Sequence, residues 1–157
     1  MKHPITFDDP RIGRLRETAR RAVREHIEPH GAAWEAAGTT PHAAYRALGA
    51  EGLLGLCHAK QDGGSGLGPI ASVVFAEEIS ASTYGGVAEA VLIHTDMSST
   101  HIGHRGTEAQ RRRYLPGLIS GEHVGALAMS EPGAGSDVLA MRLKAQDKGG
   151  YYLLNGS

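Results

Sequence analysis

One cysteine, Cys57, is all that 157 residues contain, so an internal disulfide framework is excluded. Its place in the apolar run Leu53-Leu54-Gly55-Leu56-Cys57 suits a small buried hydrophobe. A reducing compartment fits, and a cytoplasmic protein is expected. Charge of one sign is also missing: the formal net charge is -1, with no run of five like charges. That gives no electrostatic reason to expect nucleic acid or an anionic membrane surface as partner. Eighteen consecutive apolar residues occur nowhere, and the first residues open onto Asp8 and Asp9 instead of an apolar stretch, so neither a membrane span nor a signal peptide is expected.

Two common ligand motifs are absent as well. The loop Gln61-Asp62-Gly63-Gly64-Ser65-Gly66-Leu67-Gly68 is rich in glycine but lacks the Lys and the Ser or Thr of a phosphate-binding loop, so it is expected simply to connect. His94, His101 and His104 lie seven and three residues apart, a spacing that can hold a metal. No HExxH is present and the nearest acids are not placed as partners, so these histidines are expected on a polar helix surface, with no metal.

What is present reads first as helix. Asp8 or Asp9 can cap a helix with Pro10 in its opening turn, and Ile12, Leu15, Ala19, Ala22, Val23 and Ile27 recur at three and four residues. Pro29 and Gly31 perturb this helix, and Gly38 ends it. Thr40 is expected to cap a second helix with Pro41 first in it, Ala44, Tyr45 and Leu48 inside and Gly52 closing it. Pro69 restarts helix with an apolar face of Ile70, Val73, Val74 and Ile79. Residues 84–105 form a longer one, whose Gly85, Gly86, Ala88 and Ala90 suit close approach to another helix or to a ligand chain. Thr107-Glu108-Ala109-Gln110 is a capping box for a short basic helix expected to stop before Pro116.

After Gly121 the pattern changes to strands, expected at residues 123–129, 138–145 and 151–154, the last two joined through a hairpin turn at Asp147-Lys148-Gly149-Gly150. The composition shift predicts a boundary between residues 1–122 and 123–157. Three short strands leave apolar edges unpaired, and Asn155-Gly156 is a turn signal with no strand to receive it, so a truncated protein or one piece of a split one is expected. Between the first two strands lies Ala128-Met129-Ser130-Glu131-Pro132-Gly133-Ala134-Gly135-Ser136-Asp137. Read from its residues, it is either a surface turn or a segment whose backbone amides face an anionic or planar ligand.

Taken in order, Leu48-Gly49-Ala50-Glu51-Gly52-Leu53-Leu54-Gly55, the 63–68 glycine loop, Ala76-Glu77-Glu78-Ile79, Gly106-Thr107-Glu108-Ala109-Gln110 with Tyr114-Leu115-Pro116, and the 128–137 stretch resemble the N-terminal part of the acyl-CoA dehydrogenases. The resemblance covers nearly the whole chain. It implies an α+β fold: an all-helical N-terminal domain, then the first strands of a β-barrel-like middle domain. It further implies FAD, with the positions of Leu127, Met129 and Ser130 bordering the flavin ring. Gly135 and Ser136 would lie near its pyrophosphate and near the acyl-CoA thioester arm, and Ala90, Ile93 and Met97 would help line the acyl pocket.

Activity by the same resemblance is α,β-dehydrogenation of an acyl-CoA, or of an acyl-carrier-protein thioester. A glutamate base lying beyond Ser157 takes the α-proton, so no catalytic residue is expected in this chain and Glu131 is read as structural. An electron-transfer flavoprotein or another acceptor, and a homo-oligomer, are implied. Ser130 stands where the family more often has threonine, which keeps the hydroxyl; Ala59-Lys60-Gln61-Asp62 departs from the usual Pro-Glu-Glu-Tyr on a surface loop. The alternative is a non-catalytic partner or split-enzyme half that supplies one flavin wall or an interface.

Overall fold

The computed structural model describes residues 5–156. The chain forms two compact units, the first ending at Ala126 and the second beginning at Leu127. In the first, α1 (Pro10–Ala22) runs on through a π-helical turn (Val23–Ile27), followed by α2 (Gly31–Ala37), α3 (His42–Ala50), α4 (Pro69–Ser80) and α5 (Gly85–Leu92). A second π-helical stretch (Ile93–Ser98) carries α5 into α6 (Ser99–Arg105), and α7 (Glu108–Ser120) closes the unit.

Local chemistry sets most of these ends. Asp9 is the N-cap of α1, its Oδ1 accepting from the Arg11 amide at 2.8 Å, with Pro10 as the first helical residue. All six apolar positions read from the sequence in this helix are buried. At α7 the Thr107 hydroxyl accepts from the Gln110 amide at 3.2 Å and the Gln110 side chain accepts from the Thr107 amide at 2.8 Å. Thr107→Ala is therefore expected to lower the stability of the helical unit by about 1 kcal/mol, read as a shift in the urea midpoint; an unchanged midpoint would count against the cap.

Four expectations need correction. Pro41, not Thr40, occupies the N-cap of α3, because the helix starts one residue later and leaves the Thr40 hydroxyl too far back to reach its free amides. On α4 the buried positions are Ala71, Val74, Phe75 and Ile79, while Val73 is exposed. One residue is about 100° of rotation, which takes Val73 off that stripe. α7 runs past Pro116 to Ser120. A proline inside a helix costs about 3 kcal/mol, but burying Leu115 and Leu118 recovers about 1.5–3 kcal/mol each. Finally, His94 is fully buried, not on a polar surface, whereas His101 and His104 are exposed.

Packing joins α1 to α4 by charge as well as by core. Arg20 and Arg16 converge on Glu78, with Nε to Oε2 at 2.8 Å and Nη1 to Oε1 at 2.6 Å. Hydrogen bonds from these guanidinium groups, Arg20 first, hold the carboxyl of this otherwise buried glutamate below its ordinary range. The glycine loop turns its amides inward: Ser65 donates to Gly55 at 3.0 Å, Gly66 to His58 at 2.9 Å and Leu67 to Leu56 at 3.0 Å. It is a connector whose donors are already engaged. No helix among the described residues is long and apolar enough to cross a membrane.

In the second unit, β1 (Lys144–Asp147) pairs antiparallel with β2 (Tyr152–Asn155), Lys144 opposite Asn155 and Asp147 opposite Tyr152. Gly149, at φ 86°, makes the turn, and its amide donates to Asp147 Oδ1 at 2.8 Å. The strand expected at 123–129 does not form, and of the one expected at 138–145 only Lys144 and Ala145 are strand, as the start of β1. Their backbone donors go elsewhere: the Gly125 amide to a histidine, Ala140 to Asp137 in a 3-10 turn, and Arg142 and Leu143 to the Glu131 carboxylate. A strand needs those groups free for a ladder.

Candidate functional site

The 128–137 stretch folds into a tight turn closed by reciprocal backbone bonds, Glu131 amide to Ala134 carbonyl at 3.0 Å and Ala134 amide to Glu131 carbonyl at 3.1 Å. Ala134 is buried beneath it. The Glu131 carboxylate reaches across eleven and twelve residues to accept the amides of Arg142 at 2.8 Å and Leu143 at 2.9 Å. Those two backbone hydrogen bonds hold its carboxyl below the ordinary range. With one backbone amide on each oxygen, Glu131 is an anchor for the turn.

Gly133 and Gly135 are informative for what does not surround them. Neither has a positive φ, and a Cβ built on either meets no atom of the chain within 4 Å. Intramolecular packing and backbone geometry therefore leave room for a side chain at both. Among the described residues the amides of Gly133, Gly135 and Ser136 also donate to no acceptor in the chain. Free amides on an exposed turn with glycine at two of its positions are what a flavin pyrophosphate requires, so the residues fit such a group.

Of the other residues expected at a flavin, Leu127 is half-buried, and Met129, Ser130 and Ser136 are exposed. A cavity of about 360 Å³ lies on this unit, lined by Glu131, Pro132, Gly133, Ala140, Arg142, Leu143, Asn155 and Gly156. None of Leu127, Met129, Ser130, Gly135 or Ser136 lines it. The sequence carried no signal for Arg142, which enters only because Glu131 draws its backbone in.

The three positions expected along an acyl chain do not stay together. Ile93 and Met97 line a mostly apolar groove of about 630 Å³ with Ala76, Ser80, Ala88, Leu92 and Asp96. Ala90 faces a different cleft of about 430 Å³, with Trp34, Thr39, Thr40 and Val87. For Ile93, three residues on at the C-cap of α5, the ordinary helical rotation of about 100° per residue sets it apart from Ala90; for Met97 the π-helical stretch at Ile93–Ser98 is the reason. Each i to i+5 turn takes in one extra residue and rotates the succeeding residues back by about 100°. Met97 is thereby carried onto the Leu92 face and away from Ala90.

Two buried histidines went unnoticed in the sequence as a pair. The His94 Nε2 lies 3.0 Å from the Leu118 carbonyl and its Nδ1 accepts from the Gly125 amide at 2.9 Å. His58 Nε2 is 3.0 Å from Ser99 Oγ. Burial lowers the pKa of both. Among the described residues no three His, Cys, Asp or Glu side chains are grouped as a metal site.

Residues 11–122 match the family model described as acyl-CoA dehydrogenase, N-terminal domain. The mitochondrial isovaleryl-CoA dehydrogenase of Pongo abelii is 42% identical over 145 residues, covering 91% of this chain and 34% of its own. A probable acyl-CoA dehydrogenase from Mycobacterium abscessus superposes with a TM-score of 0.87 at 34% identity, over 96% of this chain and 40% of that one. The acyl-CoA dehydrogenase of Bacillus anthracis, solved in complex with FAD, gives 0.84 at 31% identity, over 92% and 25%. The chain spans about a third of the length of the curated relatives it matches. With the N-terminal domain model matched over residues 11–122, most of its length, the chain belongs to the acyl-CoA dehydrogenase family.

Proposed function

We propose that this chain is the N-terminal portion of a flavin-dependent acyl-CoA dehydrogenase, with FAD as cofactor and an acyl-CoA thioester as substrate. The observation that carries the reading is the 131–136 turn, where Gly133 and Gly135 are open to the outside and their amides are unengaged. Leu127, Met129 and Ser130 border the flavin ring in this reading, the Ser130 hydroxyl hydrogen bonding to its edge. Gly135 and Ser136 offer an amide and a hydroxyl to the pyrophosphate or the thioester arm. FAD, when bound, supplies the acceptor for the hydride that leaves the substrate β-carbon.

The apolar groove with Ile93 and Met97 takes the acyl chain, excluding water from its methylenes. Ala90 is assigned there by resemblance alone, and its separate cleft speaks against it. Glu131 is not assigned the α-proton: the two backbone amides on its oxygens stabilise its charged form and so make it a poor base, and they tie it to the 142–143 backbone. By the resemblance the base belongs to the part of the parent enzyme outside this chain, and the parent enzyme is a homo-oligomer that passes its electrons to an electron-transfer flavoprotein or another acceptor. The exposed hairpin, with Tyr151, Tyr152 and Leu154 uncovered, equally suits the second reading, a split-enzyme half, since either would cover those side chains.

Isovaleryl-CoA is the substrate to assay first, given the 42% identical relative. The chain alone is expected to show no dehydrogenation with an artificial electron acceptor. Complemented with the remaining two thirds of a curated relative, it is expected to carry flavin absorbance and turn over. Turnover by the isolated chain would place the base within it after all. A folded, complemented enzyme without flavin absorbance would sink the reading of the turn.

A further inference from the structure

Three separate stretches of the first unit meet at His94. Its ring stands on the π-helical turn between α5 and α6, and two partners dictate its tautomer. The Leu118 carbonyl can only accept, so Nε2 carries the proton; the Gly125 amide can only donate, so Nδ1 is bare. The Gly125 segment is held to the same helices at further points. His123 donates its amide to the Gly117 carbonyl at 2.9 Å. A Cβ on Gly117 would lie 2.4 Å from the His123 ring, and one on Gly125 would lie 1.9 Å from Ser98 Oγ. A side chain at either position would displace the His123 ring or the Ser98 hydroxyl, unlike one at Gly133 or Gly135.

We propose that His94 is a positioning residue, a neutral imidazole buckle that fastens residues 123–126 to the end of α7 and so fixes where the segment running on to Leu127, Met129 and Ser130 leaves the helical unit. The proposal rests on the proposed function only in making those three residues ligand neighbours. Protonating Nδ1 removes the acceptor for the Gly125 amide and sets two donors face to face. The titratable groups facing His94 are Tyr45 on α3, edge-on with 5.3 Å between ring centroids, and His58 from the loop after α3, itself held by Ser99. Burial first, and His58 in addition, lower the His94 pKa from the ordinary 6.5, while the bond to Leu118 opposes them.

A lowered pKa makes acid the condition that opens the buckle. The closed buckle is fully stable above the ordinary histidine pKa, because there neither the closed nor the opened form binds a proton. As pH falls below 6.5 the opened form takes up one proton that the closed form does not, and closure weakens until the lowered pKa is reached.

Amide exchange on the whole 157-residue chain reads this directly, with no flavin needed. In the wild type the protection factor at Gly125 is expected to fall by about tenfold per pH unit below the ordinary histidine value, one proton being linked to opening, while Phe75 in the α4 core keeps its protection. His94→Asn puts a non-titrating amide oxygen where Nδ1 stands; Gly125 should stay protected and lose the slope. His94→Phe fills the space without an acceptor, and Gly125 should exchange freely at every pH. A flat wild-type profile, or the same slope in His94→Asn, overturns the proposal, and that comparison decides even if His94→Phe does not fold. Absence of flavin binding in the complemented enzyme would count against the proposed function and leave these exchange profiles unchanged.

Discussion

Gly121→Ala is expected to cost the helical unit about 2–5 kcal/mol, the sum of about 1–2 kcal/mol for a side chain in the left-handed region and about 1–3 kcal/mol for overpacking. Gly121 has φ 80°, and a Cβ there would stand 2.3 Å from the Tyr45 carbonyl carbon and oxygen, backbone atoms that cannot swing aside. The contact is half of a reciprocal crossing: a Cβ on Gly49 of α3 would lie 2.3 Å from the Ser120 carbonyl oxygen of α7. Forcing these helices apart also moves Tyr45 off the His94 ring.

Two controls separate strain from crowding. Gly38 and Gly52 have φ 66° and 74° with nothing within 4 Å of a built Cβ, so Gly38→Ala and Gly52→Ala should cost only the conformational part, about 1–2 kcal/mol. Gly49 has ordinary helical backbone, so Gly49→Ala should gain up to about 1 kcal/mol of helix propensity and still lose net stability by collision. Urea unfolding followed by helical circular dichroism gives all four values. If Gly121→Ala falls no further than Gly52→Ala, the α3–α7 approach is not as tight as the backbone distances make it.

Glu131→Gln is expected to loosen the candidate flavin turn while leaving the helical unit unfolding as before. The neutral amide presents one oxygen and one NH2 where two backbone amides, of Arg142 and Leu143, now meet two carboxylate oxygens. One acceptor is lost and a donor is turned toward a donor. Amide exchange at Arg142 and Leu143 should rise in the isolated chain. In the complemented enzyme flavin affinity should drop, because the turn that presents the free amides is no longer held in place. Glu131→Asp, shorter by one methylene, should fall between. Unaltered exchange at both amides would remove Glu131 from its anchoring role, and a loss of turnover at full flavin occupancy would point instead to direct chemistry at that carboxylate.

Several features were legible in the sequence because neighbours within a turn or two decide them. The stripe Ile12, Leu15, Ala19, Ala22, Val23 and Ile27 gives its own buried face, and Asp9 with Pro10 gives its own start. The Thr107 to Gln110 box and the left-handed Gly38 likewise involve residues three or four apart. The family could be recognised from motif order, since each motif is local and only their succession is specific. The 128–137 stretch stood out for the same reason, as small residues following a proline.

Tertiary structure decided the rest, wherever a backbone group had to choose between partners distant in the chain. Alternation at 138–143 reads as a strand, but Glu131 takes two of its amides and a 3-10 turn takes another. Pro116 reads as a stop, but the burial of Leu115 and Leu118 carries α7 past it. Ala90, Ile93 and Met97 read as one set, and a π-helical turn that no local residue announces carries Met97 away from Ala90 to the groove that Ile93 lines. His94 reads as a surface residue until Leu118 and Gly125 supply the acceptor and the donor that make a buried imidazole tolerable. Sequence patterns fix what adjacent residues can do; which hydrogen bond a buried polar group makes depends on what folding brings to it.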